Sequence, residues 1–266
     1  RMTSRGSFPA VVSGYDQPMP GDENESPRGD VWVILPTYNE AGNVERMVTA
    51  LGPKLGEADR ILVVDDDSPD GTGRIADRLA AEDPRVAVLH RPCKEGIGPA
   101  YLAGFRRALD GGAGLIVQMD ADFSHDPAYL PRLLAASELA DLVIGSRYVP
   151  GGGITEWGRA RRLLSRGGSL YSRAVLGLGV QDLTGGFKCF RREVLEAIDL
   201  SRVAASGYSF QVEMTWRVIR AGFTVMEVPI TFRERDRGSS KMSGAIVAEA
   251  AWRVPAMRLI AARRRR

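Results

Sequence analysis

This sequence predicts an α/β protein with a mostly parallel sheet, on three observations. From Asp30 onward, short apolar runs alternate with stretches of helical periodicity. Each of the early runs is followed by enough chain for a crossover helix, the mark of βαβ units. Polar clusters then fall where loops would leave the carboxyl ends of strands, the ligand-binding edge of such sheets.

Val31-Trp-Val-Ile-Leu35 reads as the first strand, a continuous apolar run suited to a strand covered on both faces. Val44, Met47, Val48 and Leu51 recur at helical spacing and form one apolar face. Ile61-Leu-Val-Val64 is the second strand, and Ile75 and Leu79 anchor a second helix. Val86–Leu89 is the third strand, followed by a helix from about Pro99 to Leu109 that bears Tyr101 and Phe105. Residues 115–119, introduced by Gly114, form another buried strand. Asp126 then caps a helix with Pro127 at its first position, and Leu130, Leu133 and Leu134 make its stripe. Leu142-Val-Ile144 is the next strand.

Past Gly145 the alternation breaks. Residues 148–160 are a Gly-rich loop, and 161–178 a helix with Arg161, Arg162, Arg166 and Arg173 among Leu163, Leu164, Leu170 and Tyr171. Gly185–Phe190 reads as a short strand, 192–199 and 209–221 as helices, and 223–233 as a strand. Residues 242–262 form an amphipathic helix interrupted at Pro255 and ending in Arg263–Arg266. One catalytic domain is expected over 30–241, after a flexible leader at 1–29 and before a basic amphipathic tail at 242–266.

The 266 residues are 44% hydrophobic and 26% charged, ordinary for a globular chain with a full core. No apolar run reaches the roughly 18 residues of a membrane-spanning helix. The first residues lack the apolar centre of a secretory signal, so a cytoplasmic protein is expected. Cys93 and Cys189 suggest neither a disulfide framework nor a zinc site, and His90 and His125 cannot make a histidine-rich metal centre. The net charge of +3 hides an asymmetry. Residues 1–30 carry three Arg against five acidic residues, a net of −2. Residues 233–266 carry ten Arg and Lys against three acidic residues, a net of +7. A basic end suits an anionic partner. Nucleic acid is disfavoured, because the basic residues sit with Leu and Val at helical spacing and stacking aromatics are sparse.

Asp120-Ala-Asp122 follows the 115–119 strand directly. Two carboxylates one residue apart can turn toward a single hard cation, although an isolated D-x-D recurs by chance. Its setting makes it more than that. Leu35-Pro-Thr-Tyr-Asn-Glu40 and Val64-Asp-Asp-Asp-Ser-Pro-Asp-Gly-Thr72 end the first two strands on the same edge, so three polar clusters meet at one crevice. Pro36 and Tyr38 offer a rigid turn and a flat ring for a base. Glu40, Asp65 and Asp66 offer acceptors for base N–H groups or ribose hydroxyls. There is no phosphate-binding G-x-x-x-x-G-K-[ST], and Gly96-Ile-Gly98 lacks the third glycine of a dinucleotide fingerprint.

Together with Lys94-Glu-Gly-Ile-Gly-Pro-Ala-Tyr101 and Asp120-Ala-Asp-Phe-Ser-His-Asp-Pro127, these clusters resemble the dolichol-phosphate (polyprenol-phosphate) mannose synthases, a family of inverting GT-A-type glycosyltransferases. Gly145-Ser-Arg-Tyr148, Gly185-Gly-Phe-Lys188 and Phe232-x-x-Arg-x-x-Gly-x-Ser-Lys241 extend the resemblance over about Val31 to Lys241. It implies a GT-A-type, Rossmann-like, mostly parallel sheet flanked by helices, with C-terminal amphipathic interfacial helices. It implies mannose transfer from GDP-mannose to a polyprenyl monophosphate, with Pro36, Tyr38, Glu40 and Asp66 at the guanine end. Asp65, Lys94, Gly98 and Ala121 would complete the nucleotide-sugar site. Asp120 and Asp122 would hold Mg²⁺ or Mn²⁺ on the diphosphate. Many members place a Gln ligand where this chain has Ser124, a weaker ligand acting directly or through water. Ser146, Arg147, Arg235 and Lys241 match phosphate-binding positions. Asp122, Arg147, Arg235 and Lys241 are the expected catalytic set.

An acceptor phosphate, with a second pKa near ~6, is already anionic at neutral pH and needs no general base. That agrees with two histidines and no evident acid–base dyad. His125 is left between a hydrogen-bonding role and a part in the chemistry, while Cys93 and Cys189 are assigned packing roles, and Phe210 and Trp216 places in the core. Glu213 is the one candidate for a concealed base. The expected setting is peripheral, on the cytoplasmic face of a membrane with anionic lipid, with or without a separate membrane-anchoring protein. Alternatives are transfer of glucose or another sugar to polyprenyl phosphate, and an inactive nucleotide-sugar-binding scaffold.

Overall fold

Strands apolar on both faces are satisfied only between two helical layers, and the computed structural model has that arrangement. It describes residues 11–13, 29–155, 158–203, 207–233 and 252–258. The strands are β1 (Val11–Ser13), β2 (Val31–Thr37), β3 (Arg60–Asp65), β4 (Val86–His90), β5 (Leu115–Gln118), β6 (Leu142–Ser146), β7 (Gly153–Ile154), β8 (Lys188–Arg191), β9 (Val225–Pro229) and β10 (Thr231–Phe232). The helices are α1 (Val44–Leu51), α2 (Thr72–Glu82), α3 (Ile97–Asp110), α4 (Leu130–Ala136), α5 (Arg159–Leu176), α6 (Arg192–Ala197) and α7 (Gly207–Arg220).

The main sheet runs β1-β9-β6-β8-β5-β2-β3-β4, and β7 pairs with β10 apart from it. Every pairing in the main sheet is parallel except those of β8, which lies antiparallel between β5 and β6. Strand side chains alternate between two cores, as a period of two requires. Trp32, Ile34, Leu62, Val64, Ile116, Leu142, Ile144 and Phe190 join residues of α3, α6 and α7. Val33, Leu35, Ile61, Val63, Val117, Val143 and Cys189 join residues of α1, α2 and α4. At Gly104 of α3 a Cβ would lie 2.4 Å from Ile34 Cγ2, so only glycine lets α3 pack this closely on β2.

Two segments differ from the sequence-based expectation. Val11–Ser13, inside the expected flexible leader, pair in parallel with Val225–Glu227 at the sheet edge. Residues 252–258 are helical straight through Pro255. Their Val254 and Met257 are buried in the core on the α3 and α7 face. Those two residues are therefore covered by protein, one of the two settings that the amphipathic pattern allows. The rest of 242–266 lies outside the described residues.

Lys188, within β8, is wholly buried and donates to Gln211 O at 2.8 Å and Gln211 Oε1 at 3.0 Å. Burial, helped by the Arg147 charge and opposed by Asp182, brings its pKa from 10.5 down to about 7. Between those values the unfolded chain binds more protons than the folded one, so stability rises with pH. This contribution is complete above 10.5 and is lost as pH falls through about 7. The urea midpoint should therefore climb from pH 7 to roughly pH 10 in the wild type, and climb less in Lys188→Met. Equal slopes in the two proteins would exclude Lys188 as the source.

Candidate active site

β2 and β3 are parallel neighbours with Thr37 opposite Asp65, so their following loops leave the sheet side by side. Backbone amides of the first loop donate to side chains of the second. Asn39 N–H meets Ser68 Oγ at 3.1 Å, Glu40 N–H meets Thr72 Oγ1 at 2.9 Å, and Ala41 N–H meets Asp70 Oδ2 at 3.0 Å. Burial pushes the Asp70 carboxyl up, but hydrogen bonds from Thr72 and Ala41 outweigh it and hold it below the usual range. Asp65 organises the same loop: its Oδ1 accepts from Ser68 Oγ at 2.6 Å and from Thr37 Oγ1 at 3.2 Å. Asp66 Oδ1 accepts from Arg91 at 2.6 Å. Burial raises the Asp66 carboxyl even against the Arg91 charge. Pro36, Tyr38 and Glu40 are half-buried, and Glu40 Oε2 accepts from Asn43 Nδ2 at 2.8 Å. The Lys94 ammonium lies 3.8 Å from the centre of the Tyr38 ring, a cation–π contact. Gly98 is buried in the first turn of α3.

β5 pairs with the other side of β2, where the strand order reverses. Ligands of open α/β sheets bind at such switch points. Asp120 leaves β5 there, and its Oδ1 accepts the Tyr101 hydroxyl of α3 at 2.8 Å. Burial, then the Asp120 charge and this bond, hold the Tyr101 phenol well above its ordinary pKa, so it remains a donor. His125 Nδ1 accepts the Asp120 N–H at 3.1 Å, which leaves the imidazole proton on Nε2. Burial lowers the His125 pKa despite the pull of Asp120 and Asp122, which favours a neutral ring. Asp122 Oδ1 accepts from Ser124 N–H at 3.0 Å. Ala121, Asp122, Ser124 and His125 are buried, whereas the Asp120 side chain is 23% exposed.

Each of the three loops holds a non-glycine residue in the left-handed region: Asn39 (φ 59°), Asp67 (φ 56°) and Phe123 (φ 60°). Such residues cost of order 1–3 kcal/mol each and collect at functional sites. Phe123 has no short polar side chain to ease that conformation, and the Arg46 guanidinium lies 4.7 Å from its ring centre. Among the described residues, no group of three or more His, Cys, Asp or Glu is placed to hold a metal alone. Asp120 and Asp122 supply two carboxylates. That donor set would suit a hard divalent cation such as Mg²⁺ or Mn²⁺.

At the carboxyl end of β6, Ser146 and Arg147 are buried. Arg147 meets Asp182 through two bonds, Nε to Oδ2 and Nη2 to Oδ1, both at 2.7 Å. Its Nη2 also donates to Thr184 Oγ1 at 2.8 Å. Burial raises the Asp182 carboxyl, yet Arg147 more than offsets it and holds it below the usual range. The guanidinium lies 5.2 Å from the Tyr148 ring centre and 5.4 Å from that of Phe232.

The fold thus gathers Pro36, Tyr38, Glu40, Asp65, Asp66, Lys94 and Gly98 around the β2 and β3 ends, with Asp120-Ala121-Asp122 and Ser124 beside them at β5. Arg235 and Lys241 lie outside the described residues. Cys93 is exposed, contrary to its expected packing role, and Cys189 is buried. Phe210 is buried and Trp216 packs partly buried against the core. Glu213 Oε1 accepts from Arg217 Nη2 at 2.6 Å and Nε at 2.8 Å. The sequence alone assigns no role to Tyr101, Arg91, Asp182, Glu227 or Gln211. Tyr101 and the Asp70-Gly-Thr72 triplet stand within the family-like motifs, which is the signal that could have found them.

Residues 32–199 match glycosyl transferase family 2. Over 220 residues the chain is 54% identical to undecaprenyl-phosphate mannosyltransferase of Micrococcus luteus, covering 83% of this chain and 90% of that protein. Over 224 residues it is 54% identical to polyprenol monophosphomannose synthase of Mycolicibacterium smegmatis, covering 84% of each. Glucosyl-3-phosphoglycerate synthase from Mycobacterium tuberculosis, in complex with phosphoglyceric acid, shares the fold with a TM-score of 0.64 at 19% identity, over 92% of this chain and 87% of that one. The same enzyme with Mn²⁺, UDP-glucose and phosphoglyceric acid gives 0.61 at 21% identity, over 85% and 80% of the chains. The sheet is of the GT-A type, as the motifs implied. The chain belongs to glycosyl transferase family 2 and, within it, to the polyprenyl-phosphate mannose synthases.

Proposed function

We propose that this chain transfers mannose from GDP-mannose to a polyprenyl monophosphate at a membrane surface, inverting the anomeric carbon. The supporting observation is the Asp120/Asp122 pair at the switch point, between the half-buried Pro36, Tyr38 and Glu40 at the end of β2 and the buried Arg147 at the end of β6. Pro36, Tyr38, Glu40 and Asp66 hold the nucleoside, with Lys94 covering the Tyr38 ring and Asp65 fixing the loop. Asp120 and Asp122 hold Mg²⁺ or Mn²⁺, which when bound supplies positive charge to the leaving diphosphate. The Tyr101 hydroxyl and the Ser124 amide fix the two carboxylates, and His125 holds the Asp120 backbone amide. Arg147, Arg235 and Lys241 receive phosphate.

An acceptor phosphate oxygen forms the bond to mannose C1 as the C1–oxygen bond to GDP breaks, its electron pair leaving on the diphosphate. No proton moves in this step. Neutral His125 is turned toward the Asp120 amide, and Glu213 is engaged by Arg217, so neither needs to serve as a base. Asp122→Asn should abolish transfer, and EDTA should silence the wild type until Mg²⁺ or Mn²⁺ is returned. Transfer by stripped protein would refute the metal assignment. Ser124→Gln should change the Mg²⁺/Mn²⁺ preference while leaving transfer intact.

α5 supports the membrane setting. Ser165, Ser169 and Ser172 on its inner face are buried, with Ser165 Oγ accepting from the Tyr148 hydroxyl at 2.8 Å, and Leu176 at its end joins the core. Its outer face carries Leu163, Leu164, Leu170 and Tyr171, exposed beside exposed Arg162 and Arg166. A helix with leucine outside and serine inside is built for an apolar solvent, and arginine suits anionic headgroups. Among the described residues, no helix is long and apolar enough to cross a membrane. Burying each leucine in lipid contributes roughly 1.5–3 kcal/mol. Leu163→Glu with Leu170→Glu should therefore weaken binding to anionic liposomes by more than about tenfold. Salt should weaken wild-type binding as well. Undiminished binding of the double variant in a sedimentation assay would exclude α5 as the docking face.

A further inference from the structure

Glu227 is an acid in a strand that is otherwise apolar, Val225-Met-Glu-Val-Pro229, and it is 0% exposed. Both of its oxygens accept backbone amides of one turn. Gln181 N–H donates to Oε2 at 2.7 Å and Asp182 N–H donates to Oε1 at 2.9 Å. That turn presents the buried Asp182 carboxylate, whose two oxygens grip the Arg147 guanidinium and whose Oδ2 also accepts the Arg147 N–H at 3.0 Å. The same turn reaches α5, where Arg173 Nη1 donates to Gln181 Oε1 at 2.6 Å. Burial raises the Glu227 carboxyl even though two amides and the Ser146 hydroxyl donate to it. Arg147 and Asp182 form a buried ion pair at one end of the sheet, with the ionisable Lys188 and Glu227 buried beside it. Buried charges of this kind add little stability over apolar packing, so their presence calls for another reason.

We infer that Glu227 is a positioning residue: by holding the 181–182 turn it sets Asp182 against Arg147 and so fixes the guanidinium that meets phosphate. This rests on the proposed role of Arg147 in transfer. The chain of contact is β9 to turn to β6, beside a direct hydrogen bond from the Ser146 hydroxyl, and the wholly buried Glu227 touches no substrate. A glutamine at 227 keeps the shape but must turn an NH₂ toward one of the two amides, so one bond becomes a donor–donor clash.

A double-mutant cycle tests the inference, using Glu227→Gln, Asp182→Asn and both together, with GDP-mannose and a polyprenyl phosphate as substrates. Each single variant should lose at least about tenfold in turnover while the KM for GDP-mannose stays near the wild-type value. The double variant should lose no more than the worse single. Wild-type turnover in Glu227→Gln, or losses that multiply in the double variant, would overturn the relay. If the glutamine variant does not fold, Glu227→Asp, which keeps the charge but shortens the reach, enters the cycle with the same expectations. The Arg147 Nε–H nuclear magnetic resonance signal, assigned by its loss in Arg147→Lys, gives a readout that needs no substrate. It should be shifted downfield and slow to exchange in the wild type, and should move and exchange faster in the position-227 variant. An unmoved signal overturns the inference whatever sugar is transferred. A wild-type protein that transfers no mannose while the signal moves contradicts the proposed reaction and leaves the relay standing.

Discussion

Parallel pairing of β2 with β3 on one side and β5 on the other is the constraint from which the site follows. It forces three polar loops out of the same sheet edge, and the reversal of strand order opens a crevice between them. Neither geometry nor chemistry would survive a different register, because a slip of one residue turns every strand side chain to the opposite core. The β2 and β3 loops are then fastened by amide-to-side-chain hydrogen bonds at Asn39, Glu40 and Ala41. In the β5 loop the Tyr101 hydroxyl holds the Asp120 carboxylate, and His125 Nδ1 accepts the Asp120 backbone N–H.

These fastenings carry a cost that the rest of the fold offsets. Asn39, Asp67 and Phe123 adopt left-handed backbone, and the ionisable side chains of Arg147, Asp182, Lys188 and Glu227 are buried at one end of the sheet. Two packed cores of apolar side chains, one on each face of the sheet, supply the stability that such a site consumes. The consequence is preorganisation. The carboxylates that would face a metal, and the guanidinium that would face a phosphate, are oriented before any ligand arrives, which is what electrostatic stabilisation of a leaving group needs.

Much of this is legible in the residues. β2 to β6 stand out as apolar runs, and the polar clusters that follow them mark the site edge by their position alone. β8 is visible as a short strand but its antiparallel insertion is not, because direction is set by the topology of the return and leaves no local pattern. Tyr101–Asp120, Arg147–Asp182 and Gln181–Glu227 contacts span 19, 35 and 46 residues. Such pairs are made by the fold, and nothing in the local sequence names the partner. Val254 and Met257 show a related limit: helical spacing reveals an apolar face without saying whether protein or lipid covers it. α5 shows the converse, since its leucines are plain in the sequence while its inward serines carry no signal of their own.

The chemistry asks little of the protein beyond placement. Aspartates, a neutral histidine and a buried arginine are arranged to hold charge, and an acceptor that is already ionised can attack without losing a proton to the enzyme. The pH dependence of single-turnover mannose transfer, measured with a polyprenyl phosphate and with the corresponding phosphonate, tests this most directly. A phosphonate ionises a second time at higher pH than a phosphate ester. The acidic limb should move up with the acceptor's own second ionisation and remain in His125→Ala. A limb that ignores the acceptor and shifts instead with an enzyme side chain would contradict it.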